Sequence, residues 1–271
     1  MMSFKSNIPN AVEHLERLKS MLEQKKPFTF VRFSDGETEI IRNRKLEIYN
    51  GKTVFRGKES NNKYPVYDNK KFDPCSDLDI RADLMSAAIF NAEYYYKGIP
   101  TSHNRAYWDK DLMLRLNGGI NGSITFSDLL INSNYQRYRE EIVPIFGNYS
   151  DVYVISNFRS QLIGELAGFH HISIPDNFFS SYQEVKKETL DTLISLPHGA
   201  LVLSSASSLS NILGSELCSL RRDITFIDIG TSLNDLLSLD SKTRDYHSQS
   251  KNYIKNIILN LMKVNRNKIK W

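Results

Sequence analysis

The sequence predicts an α/β fold, Rossmann-like, with a mostly parallel sheet flanked by helices. Three observations point there. Short apolar, β-branched runs recur through the second half of the chain at residues 152–155, 172–174, 201–203 and 224–227. Helical patterns lie between them, at 161–167, 181–196 and 209–220, each joined to its strands by a few residues, which suits right-handed crossovers. Small and acidic residues gather just after three of the expected strands, where open α/β sheets bind their ligands.

The elements follow in chain order. Val12, Leu15, Leu18, Met21 and Leu22 form a helical stripe that ends before Pro27. Residues 28–33 read as a short buried strand, Ser34-Asp35-Gly36 as a turn, and 37–42 as the opening of a helix with acidic residues in its first turn. Residues 49–79 are rich in Lys, Asn, Asp, Tyr and Gly and predict a long irregular excursion, the kind of loop that often serves function. Residues 78–96 read as a helix closed by Gly98-Ile99-Pro100, with Tyr94, Tyr95 and Tyr96 as its core and surface. A polar stretch with His103, Arg105, Tyr107 and Trp108 follows, suited to sugar binding or to packing.

A chain of 271 residues with 41% hydrophobic content can close a core by itself. We expect one domain over residues 1–250 and a basic amphipathic tail or helix over 251–271. The tail carries Lys251, Lys255, Lys263, Arg266, Lys268 and Lys270 among Ile254, Ile257, Ile258, Leu261 and Met262. It either lies on an anionic membrane surface or packs on the domain with a solvated face. The net charge of +4 is mild and does not argue for nucleic acid. Cys75 and Cys218 lack disulfide or zinc-ligand spacing, which fits a reducing compartment. No secretory signal or membrane-spanning window is found, so a cytoplasmic protein is expected.

Three segments hold the candidate chemistry. In Arg32-Phe33-Ser34-Asp35-Gly36-Glu37, two carboxylates one residue apart can share a hard divalent cation. Gly36 allows a diphosphate to approach, and Arg32 can neutralise phosphate or pair with an acid. The same residue types also serve a helix cap with a structural ion pair. Ser204-Ser205-Ala206-Ser207-Ser208 joins a strand to a helix and suits a phosphate or a ribose, or an ordinary cap. Asp228-Ile229-Gly230-Thr231-Ser232, with Asn234 and Asp235 beyond, completes the edge. His170 and His171 lack a third ligand and read as structural.

Phe30-Val31-Arg32-Phe33-Ser34-Asp35-Gly36-Glu37 resembles the Arg-Phe-Gly-Asp-Gly-Glu segment of the GT-D fold glycosyltransferases, a bacterial family first catalogued as a domain of unknown function. Gly98-Ile99-Pro100, Ile174-Pro175 with Asn177-Phe178, the Ser204–Ser208 loop and Asp228-Ile229-Gly230 follow in the family's order, so the likeness spans residues 28–235. Ser34 stands for the usual glycine, the serine loop lacks the family's Gly-Pro-Thr-Ala wording, and Thr231 stands where a histidine commonly follows Asp-Ile-Gly.

The resemblance implies a GT-D type fold, a UDP-sugar donor with UDP-glucose among the precedents, and Mn2+ or Mg2+ held by Asp35 and Glu37. It implies hexose transfer to a glycan or lipid-linked oligosaccharide acceptor in surface polysaccharide or glycoprotein biosynthesis, near the inner face of the cell membrane. In this reading Arg32, Ser34, Gly36, Ser205, Ala206, Ser207, Asp228, Gly230 and Thr231 line the donor. The catalytic residues are Asp35, Glu37 and Asp235, the last as acceptor base with Asp228 as its alternate. Residues 49–79 and 103–108 are the expected acceptor side. Two rivals share these residues: a metal-dependent phosphohydrolase or nuclease, and a non-enzymatic nucleotide-sugar binding module.

Overall fold

The computed structural model describes residues 11–49, 51–55, 58–60, 69–100 and 106–239, together with Tyr246. Its centre is a seven-stranded sheet in the order β7-β6-β1-β11-β10-β8-β9, with every pairing parallel. The strands are β1 (Thr29–Arg32), β6 (Tyr95–Ile99), β7 (Ile124–Phe126), β8 (Val152–Asn157), β9 (His170–Ile174), β10 (Leu201–Ser204) and β11 (Thr225–Asp228). From β1 the chain steps outward through β6 and β7. It then restarts at β8 beyond the other side, and β10 and β11 fill the gap back to β1. The order therefore reverses between β1 and β11, and a crevice forms beyond the carboxyl ends of strands at such a switch.

Strand alternation builds two cores, one on each face. Val31, Phe33, Val202, Ile155 and Phe226 enter one layer with α3 (Leu78–Ile89) and α7 (Ser208–Leu220). Phe30, Leu201, Leu203, Val154 and Ile227 enter the other with α1 (Ala11–Glu23). Helix α1 buries Leu15, Leu18, Met21 and Leu22 of the stripe that its sequence spacing predicts, while Val12 in its first turn is exposed. Burying a Leu or Phe of this kind contributes about 1.5–3 kcal/mol. Helix α7 lies close on β1 because Gly214 has no side chain: a Cβ there would stand 2.6 Å from Val31 Cγ1.

Remaining elements shape the rim. Helix α2 (Asp35–Ile41) follows β1, and Arg42 beside it pairs with buried Asp109 at 3.1 Å, fastening α2 to α4 (Ala106–Leu116). The short α5 (Tyr135–Arg137) runs on into a π turn (Tyr138–Ile142) and a 3-10 turn (Val143–Asn148). Helix α6 (Tyr182–Ile194) covers the far side of the sheet beside α7. No described helix is long and apolar enough to cross a membrane.

The second half matches expectation closely, and the first half departs from it. The excursion expected at 49–79 contains a four-stranded antiparallel sheet in the order β4-β3-β2-β5: β2 (Leu46–Tyr49), β3 (Lys52–Phe55), β4 (Lys58–Ser60) and β5 (Lys70–Phe72). Its strands are lysine-rich and only partly apolar, so no alternation announced them. The helix expected over 78–96 stops at Ile89, and Tyr95, Tyr96 and Gly98 belong to strand β6. Lys97 is wholly buried there because its ammonium donates to the Ala88 and Phe90 carbonyls at 3.0 and 2.7 Å, which holds the end of α3. The helix expected over 161–167 is one 3-10 turn, Gly164–Leu166. Residues 251–271, His103 and Arg105 lie outside the described residues.

Candidate functional site

The carboxyl end of β1 delivers Arg32 and then the turn into α2. Ser34 is the N-cap with extended backbone, φ −109°, and its N–H donates to Glu37 Oε2 at 2.9 Å. Asp35, half-buried, opens the helix. Its Oδ1 accepts from Gly36 N–H at 3.0 Å and from the Ser34 hydroxyl at 3.3 Å. The acid pair thus caps the helix, as the sequence allows, and also gathers negative charge at one point. Burial pushes the Glu37 carboxyl up to about 7; the Ser34 N–H opposes the rise, while Asp228 and Asp35 add to it.

Arg32, the last residue of β1, pairs with an acid on the neighbouring strand β11. Its backbone N–H donates to Asp228 Oδ2 at 3.1 Å, and its Nε lies 3.5 Å from Asp228 Oδ1. Nη1 donates to the Ser127 carbonyl at 3.3 Å, beyond β7. Burial works against the guanidinium charge, but Asp228, Tyr246 and Glu37 outweigh it and hold the pKa above its ordinary value. Arginine 32 therefore pairs with Asp228 at the end of β11, rather than with Asp35 or Glu37. Gly230, with φ +49°, lets the next loop lie against it: a Cβ there would stand 1.6 Å from Arg32 Nη2.

The β10 side is built differently. The Ser204 and Ser210 hydroxyls share a 2.8 Å bond, and Ser210 Oγ also accepts from Ala206 N–H at 3.1 Å. Ser205 N–H continues the ladder to the Ile155 carbonyl at 2.7 Å. The N–H groups of Ser205 and Ala206 are thus occupied by the protein itself. Ser207 takes φ +53° and ψ −139°, a strained conformation for a residue with a Cβ, directly before α7. Asn211, one turn into α7, donates to the Arg32 carbonyl at 2.9 Å and ties this loop to the β1 turn.

The three segments singled out in the sequence therefore meet at adjacent strand ends. Ile229 N–H on β11's loop donates to the Ser204 carbonyl at 2.8 Å, which joins the second and third segments directly. Asp235 stands apart in bonding: both carboxylate oxygens accept from Arg139 Nη1 at 2.9 Å. The Thr231 hydroxyl is bonded to that of Tyr246. Sequence reasoning missed Ser127, Ser210, Asn211 and Tyr246, which arrive from distant parts of the chain without a local motif. His170 stacks on Tyr153 and His171 bonds Ser156 Oγ at 2.9 Å, both within the β8–β9 pair.

An open cavity of about 370 Å³ lies between the starts of α3 and α6, lined by Asp77, Asp79, Ser181, Gln183 and Glu184. The small sheet borders this region: Lys71 N–H on β5 donates to Asn177 Oδ1 at 3.3 Å, and Phe72 meets Phe179 edge-on.

The parallel sheet, its switch point and the loops gathered there define an α/β protein with a glycosyltransferase type of fold. The chain is similar across most of its length to solved structures of that fold. One is titled a new glycosyltransferase, of the domain of unknown function 1792, from Streptococcus sanguinis; it shows 14% identity, a TM-score of 0.52 and coverage of 80% of each chain. Another, described as showing that this highly conserved domain has a distinct glycosyltransferase fold, shows 13% identity, a TM-score of 0.50 and coverage of 82% of each chain. No family model and no curated protein sequence matches this chain.

Proposed function

We propose that this protein is a metal-dependent glycosyltransferase that moves a hexose from a UDP-sugar, UDP-glucose being the first candidate, to a glycan or lipid-linked acceptor. The observation that carries the reading is the placement of Asp35 and Glu37 at the β1 switch point, beside Arg32 and Asp228, in a fold shared with glycosyltransferases. We place the enzyme in the cytoplasm, serving surface polysaccharide or glycoprotein biosynthesis.

The donor set suits Mn2+ or Mg2+. Among the described residues no group of three or more His, Cys, Asp or Glu side chains could hold a metal by itself. Carboxylate oxygens are the hard ligands that such cations take. Asp35 and Glu37 would hold such a cation, which would supply charge neutralisation on the leaving diphosphate. Glu37 must then give up its proton, which makes occupancy of the site rise with pH.

The protein's own groups do the rest. Arg32 adds positive charge where the diphosphate departs, and Gly36 leaves room for it at the α2 turn. Ser34, Ser205, Ala206, Ser207, Gly230 and Thr231 line the nucleotide. The acceptor oxygen bonds to the sugar's anomeric carbon as the bond from that carbon to the diphosphate oxygen breaks. The hydroxyl proton leaves to a base. Asp235 is our candidate, and it would have to release one Arg139 contact to take that proton. The cavity beside the small sheet is our candidate for the acceptor, since carboxylates and amides bind sugar hydroxyls.

The test is donor hydrolysis across a panel of nucleotide sugars, with and without manganese, for the wild type and Asp35→Asn. One UDP-sugar hydrolysed slowly, only with metal and only by the wild type, supports the reading. No nucleotide sugar bound under any metal condition removes it in favour of phosphohydrolase chemistry.

A further inference from the structure

One buried side chain from further along the chain, Tyr246, touches the loop after β11. Tyr246 is buried, 6% exposed, in the core layer that holds Leu233, Leu237 and Tyr138. Its ring leans on that of Tyr135, with centroids 5.1 Å apart. Its hydroxyl shares a 2.5 Å bond with Thr231 Oγ1, one residue after the glycine that backs onto Arg32. It also stands within electrostatic reach of the Arg32 guanidinium.

Core filling accounts for the ring. A phenylalanine would fill the same space, and a buried phenol needs a partner that many backbone carbonyls could supply. Here the partner is a side-chain hydroxyl in the loop at the crevice. A threonine hydroxyl turns freely about its bond, so a fixed neighbour decides which way its proton and lone pairs face. A loop held in one conformation before binding loses less freedom when the ligand arrives.

We infer that Tyr246 is a positioning residue of the donor site, holding the Thr231 hydroxyl and the Gly230 turn against Arg32 so that the loop meets the nucleotide sugar in a fixed conformation. The inference rests on the glycosyltransferase reading above.

The experiment titrates UDP and UDP-glucose, with manganese, into the full chain as wild type, Tyr246→Phe, Thr231→Val and the double variant. Tyr153→Phe, at the distant β8–β9 pair, is the control. Losing one hydrogen bond's worth of positioning should weaken donor binding about five- to tenfold in Tyr246→Phe. Its thermal midpoint should fall by only a few degrees, the cost of one buried hydrogen bond, with the variant fully folded at the assay temperature, and Tyr153→Phe should bind as the wild type does. The double variant should bind no more weakly than the weaker single variant, because both act through one contact. Donor KM should rise by the same factor while kcat at saturating donor stays within about twofold. Unchanged affinity in Tyr246→Phe overturns the inference, as do losses that multiply in the double variant. A thermal midpoint lowered so far that Tyr246→Phe is partly unfolded at the assay temperature assigns Tyr246 to packing and also overturns it. If Tyr246→Phe binds like a wild type that does bind donor, the inference alone fails. If the wild type binds no nucleotide sugar, the glycosyltransferase reading fails and takes the inference with it.

Discussion

The two banks of the crevice solve the same problem of buried polarity in opposite ways. At β1 and β11 ionisable groups are packed together: Glu37 and Asp228 are buried beside a half-buried Arg32, and Glu37 rises to about 7 because burial and like charge disfavour its ionised form. At β10 the groups are neutral, and Ser204, Ser210 and the Ala206 N–H satisfy one another. A bank whose charge is poorly balanced by the protein is poised to gain from a cation and a phosphate. A bank of mutually bonded hydroxyls offers shape and rigidity instead. On the proposed function, chemistry would belong to the first and recognition to the second, and three changes test how far that division holds.

Gly230→Ala should have the largest effect. The residue would carry a Cβ into the Arg32 guanidinium while keeping a left-handed backbone, so strain and overpacking together should destabilise the protein by about 2–4 kcal/mol. Donor binding should be lost as Arg32 is displaced. Chemical denaturation and a nucleotide titration of the same sample check both. A variant that keeps wild-type stability and affinity would show that Arg32 has another resting place.

Ser210→Ala strikes the neutral bank. It strands the Ser204 hydroxyl and the Ala206 N–H, at a cost of about 1–2 kcal/mol in unfolding free energy. If this bank only shapes the nucleotide pocket, donor affinity should fall a few-fold while kcat holds. A fall in kcat equal to that in Gly230→Ala would erase the contrast between the banks.

The smallest effect lies away from the crevice and serves as its reference. His14 is buried on α1 against Phe126, and burial, with Arg17 adding, lowers its pKa from 6.5 to about 4. The unfolded chain therefore binds the proton more tightly than the folded one between these values, so stability should drop as pH falls from 6.5 towards 4. His14→Phe should flatten that part of the profile in a thermal melt series. An unchanged slope would move its origin to other groups.

The same contrast explains what the sequence revealed. Strands β8, β10 and β11 were legible because a parallel strand buried on both faces is one continuous apolar run, as in Leu201-Val202-Leu203. Strand β6 was hidden because Tyr94, Tyr95 and Tyr96 extend the preceding helical stripe, and a charged Lys97 does not announce a buried position. The small antiparallel sheet was hidden by strands such as Lys70–Phe72, whose residues carry no clean alternation. At the site, Asp35 and Glu37 were legible because they adjoin in sequence. Arg32's partner was not, since Asp228 arrives 196 residues later. Tyr246 and Asn211 gave no signal at all, for their roles exist only once the chain has folded across the sheet.

On the proposed function, Asp35 and Glu37 bind a divalent cation together with the donor diphosphate. The most direct measurement is manganese binding, followed by its paramagnetic resonance signal, with and without UDP, for the wild type, Asp35→Asn and Glu37→Gln. The account predicts that UDP tightens manganese binding at least tenfold in the wild type, since each ligand supplies part of the other's site. It predicts that both variants lose this coupling. Manganese binding that ignores UDP, or coupling that survives the loss of either carboxylate, would contradict it.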